Sequence, residues 1–441
     1  MNKPAPNNLE SFWLPFTPNR DFKVHPRLLA RASGMYYWDP QGRKILDGFS
    51  GLWCTNAGHC PPKVVEAIRE QAGTLDFAPT FQFGHPKVFE LANRLAALAP
   101  EGLDRVFFGN SGSEAAESAL KIARAYFQVT GETKRFRLIG RGRAYHGVNY
   151  GGMSVGGLPS NQRHFGPLLP GTEDHLPLPY DPKKDAYTRG EPKGGKEYAE
   201  ALEKICAQRG GDTIAAVIVE PMIGSGGVYA APKEYLPALR AICDRHGILL
   251  IFDEVITGFG RLGAPFAAQR YGVTPDMICF AKGVTNGAVP LSGVIMKAMI
   301  PAAFSEAEKH SIGLFHGYTY TGHPLGAAAG LAALDLYRDE DLFERAKKLE
   351  MVLEGAVHGL KGAPHVIDIR NAGCAAAVDL APIDGHPGQR GYEAMTRIFH
   401  EESVVVRLSG DSLVLSPALI ASEAEIARII EAMRVVLGRV G

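Results

Sequence analysis

Three short segments of the 441-residue chain place charged or phosphate-ready residues where apolar runs stop. The first is Gly109-Asn110-Ser111-Gly112-Ser113-Glu114, leading from an apolar run into an Ala-rich helical pattern. Free amides and the positive end of a helix dipole make such a start an anion site, and the hydroxyls add donors. The same Ser111-x-x-Glu114 spacing is also a capping box, which satisfies a helix start with no ligand. The second segment is Ile248-Leu249-Leu250-Ile251-Phe252-Asp253-Glu254, with two carboxylates at the end of a wholly apolar run. Ligands of open α/β sheets bind outside the carboxyl ends of the strands, so Asp253 is placed for a cationic partner; the alternative is that it caps the next turn. The third is Ile278-Cys279-Phe280-Ala281-Lys282-Gly283. A lysine ending a buried strand can lose its proton easily and act as nucleophile or base, or it can snorkel to solvent.

Positioning these groups requires strands that end together. Apolar runs at 105–108, 136–139, 214–220, 248–252, 277–281 and 292–296 predict buried strands. Helical patterns lie between them, notably 114–129, closed by Gly131, and 235–246, closed by Gly247. Near-continuous apolar strands alternating with helices predict an α/β fold, a mostly parallel sheet covered by helices on both faces. From 158 to 197 the chain is rich in Pro, Gly and charge and reads as a long surface excursion. Beyond Leu334 a charged helix at 339–360 precedes strands at 366–370 and 375–380, a helix at 388–402, and strands at 404–408 and 412–415 around a Gly410-Asp411 turn. A last helix opens with the capping box Ser422-x-x-Glu425 and lines up Ile426, Ile429, Ile430 and Met433. This is a smaller α+β domain, and the expected division is 1–55, 56–333 and 334–441, the first segment packing with the last.

Composition excludes several functions. Lys+Arg and Asp+Glu balance at 47 each, so no bulk field draws the chain to nucleic acid or anionic lipid. The 51 Gly and 30 Pro are scattered between apolar runs, as turns rather than low complexity. Six cysteines include no CxxC pair, which suits buried thiols in a reducing compartment. The start MNKPAPNNLE has no apolar stretch of the secretory kind, and no run approaches a membrane span, so a cytoplasmic location is expected. No metal site is expected, since none of the 14 histidines forms a ligand-spaced pair on a predicted helix.

One rival motif is present. Gly258-Phe259-Gly260-Arg261-Leu262-Gly263 matches the G-x-G-x-x-G of nicotinamide-dependent oxidoreductases. Its context is poor: five residues separate it from the strand, Pro265 interrupts the helix start, and Lys282 stands where the ribose carboxylate belongs.

A phosphate-type helix start, a strand-end acid and a strand-end lysine, in that order, form the parts of a pyridoxal 5'-phosphate site. The wording of the segments goes further. Phe252-Asp253-Glu254-Val255-Ile256-Thr257-Gly258-Phe259-Gly260-Arg261, then Pro275-Asp276 and Ala281-Lys282-Gly283, resembles the signature of class III aminotransferases. The resemblance includes Ser50-Gly51-Leu52-Trp53, Phe81-Gln82-Phe83-Gly84-His85-Pro86, Tyr145-His146-Gly147, Val219-Glu220-Pro221 and Gly317-Tyr318-Thr319-Tyr320-Thr321-Gly322-His323-Pro324. Within that class the chain is most similar to the ω-amino acid:pyruvate group.

The resemblance implies fold-type I, with an amine donor and pyruvate as substrates, and a homodimer or dimer of dimers. It implies that Lys282 carries the cofactor aldehyde as a Schiff base and shuttles the proton, while Asp253 pairs the pyridinium. Gly112 and Ser113, with Ser111 near, would hold the phosphate, Tyr318 would belong to the cofactor site, and Thr319 would reach the phosphate of the neighbouring subunit. Tyr145 would stack on the ring, Glu220 would support its hydroxyl side, and His146, Val255 and Ile256 would complete the cofactor pocket. Trp53 would wall the substrate pocket beside Tyr145, and Arg407 would take the substrate carboxylate as a bidentate fork. An arginine on an apolar strand is costly unless paired, which itself suggests an acidic ligand or partner. Two departures stand out. Relatives acting on ornithine or γ-aminobutyrate carry a glutamate five residues after the Val-Glu-Pro glutamate, and here that position is Ser225. Where the β-alanine group typically has glutamine, seven residues past the arginine, this chain has Val414, leaving room for bulkier or more apolar amines. Other donors, such as taurine or γ-aminobutyrate, remain open.

Overall fold

Strands Ile214–Val219 and Leu249–Asp253 are buried along their whole length, as strands covered on both faces must be. In the computed structural model, which describes residues 9–305 and 310–441, they lie in a seven-stranded sheet. Its order is Leu103–Gly109, Ser292–Lys297, Met277–Phe280, Leu249–Asp253, Ile214–Val219, Arg137–Arg141 and His175–Leu176. Ser292–Lys297 runs antiparallel to both neighbours, and the remaining pairings are parallel. Parallel strands end on one edge, so the segments after Gly109, Arg141, Val219, Asp253 and Phe280 converge there. Residues 1–8, within the segment read as lacking a secretory signal, lie outside the described residues.

Helix Gly112–Val129 closes one face. Ala115, Ala116, Ala119 and Ala123 let it approach the sheet, while Leu120, Ile122 and Phe127 pack with Ile218, Ile251, Met277 and Val294. Burying each of these larger side chains is worth about 1.5–3 kcal/mol of transfer free energy. The other face is covered by Tyr235–His246, which ends on left-handed Gly247 as its sequence predicts, and by Pro324–Asp339.

Several expectations need correction. The helix expected at 339–360 forms as Leu342–His358, but a further helix, Pro324–Asp339, comes before it, and the two are separated where Asp341 turns left-handed (φ 49°). Pro324–Asp339 was missed because its small apolar residues are buried all round and leave no amphipathic stripe. The strand expected at 404–408 divides between two sheets. Val404–Val405 pairs in parallel with Lys44–Asp47, in a sheet with Arg31–Ser33 and Tyr36–Trp38 that the sequence pattern did not suggest. Arg407–Ser409 then turns through Gly410 (φ 63°) onto Ser412–Leu415, at the edge of an antiparallel sheet with Val366–Ala372 and Ala375–Leu380. The excursion at 158–197 is not all surface: His175–Leu176 extends the main sheet beside Arg137–Arg141. The Ser422–Glu425 capping box forms as expected, with Glu425 N–H on Ser422 Oγ at 3.3 Å and Ser422 N–H on Glu425 Oε2 at 2.9 Å.

All six cysteines are free; Cys206, Cys243, Cys279 and Cys374 are buried, Cys54 is half-buried and Cys60 exposed. Among the described residues no helix is long and apolar enough to cross a membrane, and no cluster of metal-ligating side chains occurs.

Candidate active site

At the C-terminal edge of the sheet a cavity of about 100 Å³, open to solvent on one side, is lined by Gly112, Ser113, Tyr145, His146, Gly147, Glu220, Asp253, Val255, Ile256 and Lys282. Five strands supply these residues from their ends, which is why positions far apart in sequence meet.

On one side is the start of helix Gly112–Val129. Ser111 Oγ accepts the Glu114 amide at 3.2 Å and its carbonyl accepts that of Ala115 at 3.0 Å. Glu114 Oε2 accepts the Asn110 amide at 2.6 Å and its Nδ2 at 2.9 Å. Ser111 is thus an exposed cap, outside the cavity wall, whereas Gly112 and Ser113 line the cavity in the helix's first turn, where amides have no partner within the helix. A Cβ on Gly112 would lie 2.8 Å from Val255 Cγ1, and one on Gly147 (φ 92°) would lie 2.5 Å from Ser113 Cα. Ser113 Oγ accepts the Val148 amide at 3.1 Å. The helix start and the Tyr145-His146-Gly147 turn therefore touch through backbone.

Opposite lies Asp253. Oδ1 accepts the Val255 amide at 3.1 Å, which is the turn-capping role, and Oδ2 meets His146 Nδ1 at 2.8 Å. His146 is buried, and its Nε2 has no hydrogen-bond partner. Glu220, also buried, accepts the Tyr145 amide at 3.0 Å on Oε1 and the Gly224 amide at 2.9 Å on Oε2; burial pushes its carboxyl above the ordinary range.

Lys282 follows strand Met277–Phe280 after one residue and sits at φ 50°, a conformation a lysine adopts only under constraint. Burial lowers its pKa, against the attraction of Cys54, Asp253 and Glu220; Arg407 adds to the lowering. It does not snorkel free: its side chain borders the cavity.

The remaining expected residues lie around this core. Arg407 is half-buried, its Nε is buried without a partner, and its guanidinium stands 5.6 Å from the Phe49 ring centroid. Burial lowers its pKa, opposed by Tyr145. Its direct cross-strand neighbour is Val414. Trp53 is 1 % exposed and packs edge-on to Phe49 at 4.9 Å, in an apolar cluster with Ile256 and Val414. Tyr318 is outside the cavity and donates through its hydroxyl to the Glu114 carbonyl at 3.3 Å, and Thr319 is exposed. Sequence reasoning passed over Gly147, whose positive φ marks it, and Cys54, whose thiol neighbours Lys282 with no local pattern to announce it.

The rival glycine motif does not build a nucleotide site. The helix that follows it, Ala267–Tyr271, has its first amides occupied: Glu254 accepts those of Ala267 and of Ala268 (2.9 Å), together with Thr257 Oγ1 at 3.0 Å. A pyrophosphate has no amides left to bind there.

The cavity fits pyridoxal phosphate by its donors. Open helix amides suit a phosphate, a buried carboxylate suits a pyridinium, and a lysine of lowered pKa suits an aldehyde. Comparison with known proteins gives the same answer. The aminotransferase class-III family model matches residues 18–437. The chain is 53% identical to an omega-aminotransferase of Caulobacter vibrioides over 98% of each chain. It is 46% identical to a beta-alanine–pyruvate aminotransferase of Pseudomonas aeruginosa, over 97% of this chain and 95% of that one. An amine transaminase from an uncultivated Pseudomonas species, solved with PLP bound, superposes with a TM-score of 0.90 at 37% identity, covering 99% of this chain and all of the other. The chain belongs to the class III aminotransferases, fold-type I enzymes whose cofactor is pyridoxal 5'-phosphate.

Proposed function

We propose that this aminotransferase moves the amino group of an ω-amino acid such as β-alanine, or of a primary amine, to pyruvate, giving alanine and an aldehyde or semialdehyde (a ketone where the amine sits on a branched carbon) in two alternating half-reactions. The observation that carries the substrate class is Arg407. It is a desolvated guanidinium without a carboxylate partner among the described residues, near Tyr145 and the cavity. Such a group binds a carboxylate brought by substrate. Ser225 in place of a glutamate leaves it free to serve donor and acceptor in turn. The relatives named for ω-amino acids, β-alanine and pyruvate support the reading.

When bound, pyridoxal phosphate supplies an aldehyde that takes up the amino group and a ring that withdraws electrons from the adjacent carbon. The amides of Gly112 and Ser113, with Ser111 at the same turn, would hold the phosphate, and Tyr318 on the neighbouring loop would support that turn. Asp253, braced by His146, would keep the ring nitrogen protonated; Tyr145, Val255 and Ile256 would pack its faces, and Glu220 would fix the Tyr145 backbone. Lys282 Nζ, its charge disfavoured by burial, accepts the proton from the carbon bearing the amine and returns it at the other end of the transfer. Arg407 orients substrate carboxylates and Trp53 with Phe49 excludes water from the apolar side.

We infer further a homodimer, or dimer of dimers, working in the cytoplasm, with exposed Thr319 available to a second copy. The division at 1–55, 56–333 and 334–441 is supported by the separate C-terminal sheet, although helix Pro324–Asp339 crosses its second boundary. Alanine production from pyruvate with β-alanine and with 1-phenylethylamine tests the substrate class; production from 2-oxoglutarate alone, as glutamate, would contradict it.

A further inference from the structure

Three residues of one short turn, Ser50 (φ 48°), Gly51 (φ 68°) and Trp53 (φ 63°), occupy the left-handed region. Serine and tryptophan take it only where surrounding contacts over-determine it. Those contacts come from two sides. Asp47, 1 % exposed, accepts the Phe49 amide at 2.8 Å on Oδ1 and the Gly51 amide at 2.6 Å on Oδ2, and Oδ2 also meets His59 Nε2 at 2.8 Å. From the other side Arg261, fully buried, donates to Ser50 Oγ at 3.2 Å and Asn56 Oδ1 at 2.5 Å. Its other branch donates to the carbonyls of Cys374 at 3.3 Å and Pro417 at 2.7 Å. No carboxylate pairs with it among the described residues; its donors go to neutral oxygens of segments far apart in the chain.

The turn carries side chains that matter to substrate. Phe49 and Trp53 join Ile256, which lines the cofactor cavity, and Val414, which stands across from Arg407. The Arg407 guanidinium faces the Phe49 ring, and Cys54, next along, neighbours Lys282.

We propose that Asp47 and Arg261 are positioning residues for substrate selection: together they hold Ser50, Gly51 and Trp53 at positive φ, so that Phe49 and Trp53 form a fixed apolar wall against Arg407. This rests on the reading of Arg407 as the carboxylate site. Without Asp47 two backbone amides lose their acceptor, the turn relaxes, and the wall no longer sets where a carboxylate meets Arg407.

The test uses the full-length holoenzyme and the variants Asp47→Asn, Asp47→Ala and Gly51→Ala. The last puts a Cβ in the left-handed position, 3.2 Å from Tyr37 Oη, without touching the buried carboxylate. Visible absorption reports whether cofactor is held as in the parent. KM for β-alanine and pyruvate is expected to rise about tenfold or more in Asp47→Ala and Gly51→Ala, with kcat within about threefold and a smaller KM change for uncharged 1-phenylethylamine. Asp47→Asn, which keeps one acceptor oxygen, falls between. If Asp47→Ala does not fold, the other two variants decide. An unchanged KM in variants that keep cofactor overturns the proposal, as does a parallel fall of kcat and cofactor content, which marks a merely structural role. A parent enzyme that uses neither donor with pyruvate refutes the Arg407 reading first and takes this inference with it.

Discussion

Replacing Arg407 with methionine separates substrate binding from everything else in the site. Arg407 makes no ion pair among the described residues, its Nε is buried without a partner, and burial already disfavours its charge. Removing it therefore orphans no carboxylate, and a similarly long apolar side chain beside Phe49 and Val414 should leave thermal stability unchanged or raised. A substrate carboxylate loses two charge-assisted hydrogen bonds, each worth about 1.5–3 kcal/mol, or roughly 3–6 kcal/mol together. At about 1.4 kcal/mol per decade, the apparent Kd for β-alanine rises roughly 10²- to 10⁴-fold. For 1-phenylethylamine, which has no carboxylate, the change stays within about threefold. Stopped-flow absorbance of the amine half-reaction, read against donor concentration for both amines, measures this directly. An equal loss with both donors, or an unchanged β-alanine dependence, refutes the assignment of Arg407.

Other perturbations probe the remaining parts. Gly112→Ala, whose Cβ would stand 2.8 Å from Val255 Cγ1, should weaken pyridoxal phosphate binding about tenfold or more, and Val255→Ala in the same chain should recover most of it by titration of the apoenzyme. Lys282→Met should stabilise the apoenzyme while abolishing turnover. The Lys282 pKa is lower folded than unfolded, so its charged form costs stability at and below neutral pH, and the cost fades as pH rises toward 10.5. The Tm gain of the variant should therefore be largest near neutrality and shrink in alkali; a constant gain would contradict the burial of that charge. Val414→Gln places an amide in the cluster of Trp53, Phe49 and Ile256, costing about 1–3 kcal/mol of stability in a denaturant melt and reducing activity toward bulky apolar amines relative to β-alanine.

The edge of the sheet was legible in sequence because buried parallel strands read as apolar runs, and Asp253 and Lys282 are the charges that end them. The helix start at Ser111 was legible as a cap, and it is one; the open amides of Gly112 and Ser113 follow from geometry common to every helix start. Less could be read where tertiary partners decide. Helix Pro324–Asp339 hid because it is buried all round. The run through Val404 to Ser409 could not say that it serves two sheets. Trp53 and the left-handed turn before it depend on Asp47 and Arg261, the latter 208 positions beyond Trp53 and set by no local pattern.

The central claim, that Lys282 and the cavity around it perform amino-group transfer with pyridoxal phosphate, is tested most directly by visible absorption of the purified protein and of Lys282→Ala. The account predicts a visible cofactor band that bleaches on adding β-alanine or 1-phenylethylamine and returns with pyruvate, and that is altered and unresponsive in the variant. A protein that stays colourless with added pyridoxal phosphate, or a Lys282→Ala variant that still cycles with amine and pyruvate, would contradict it.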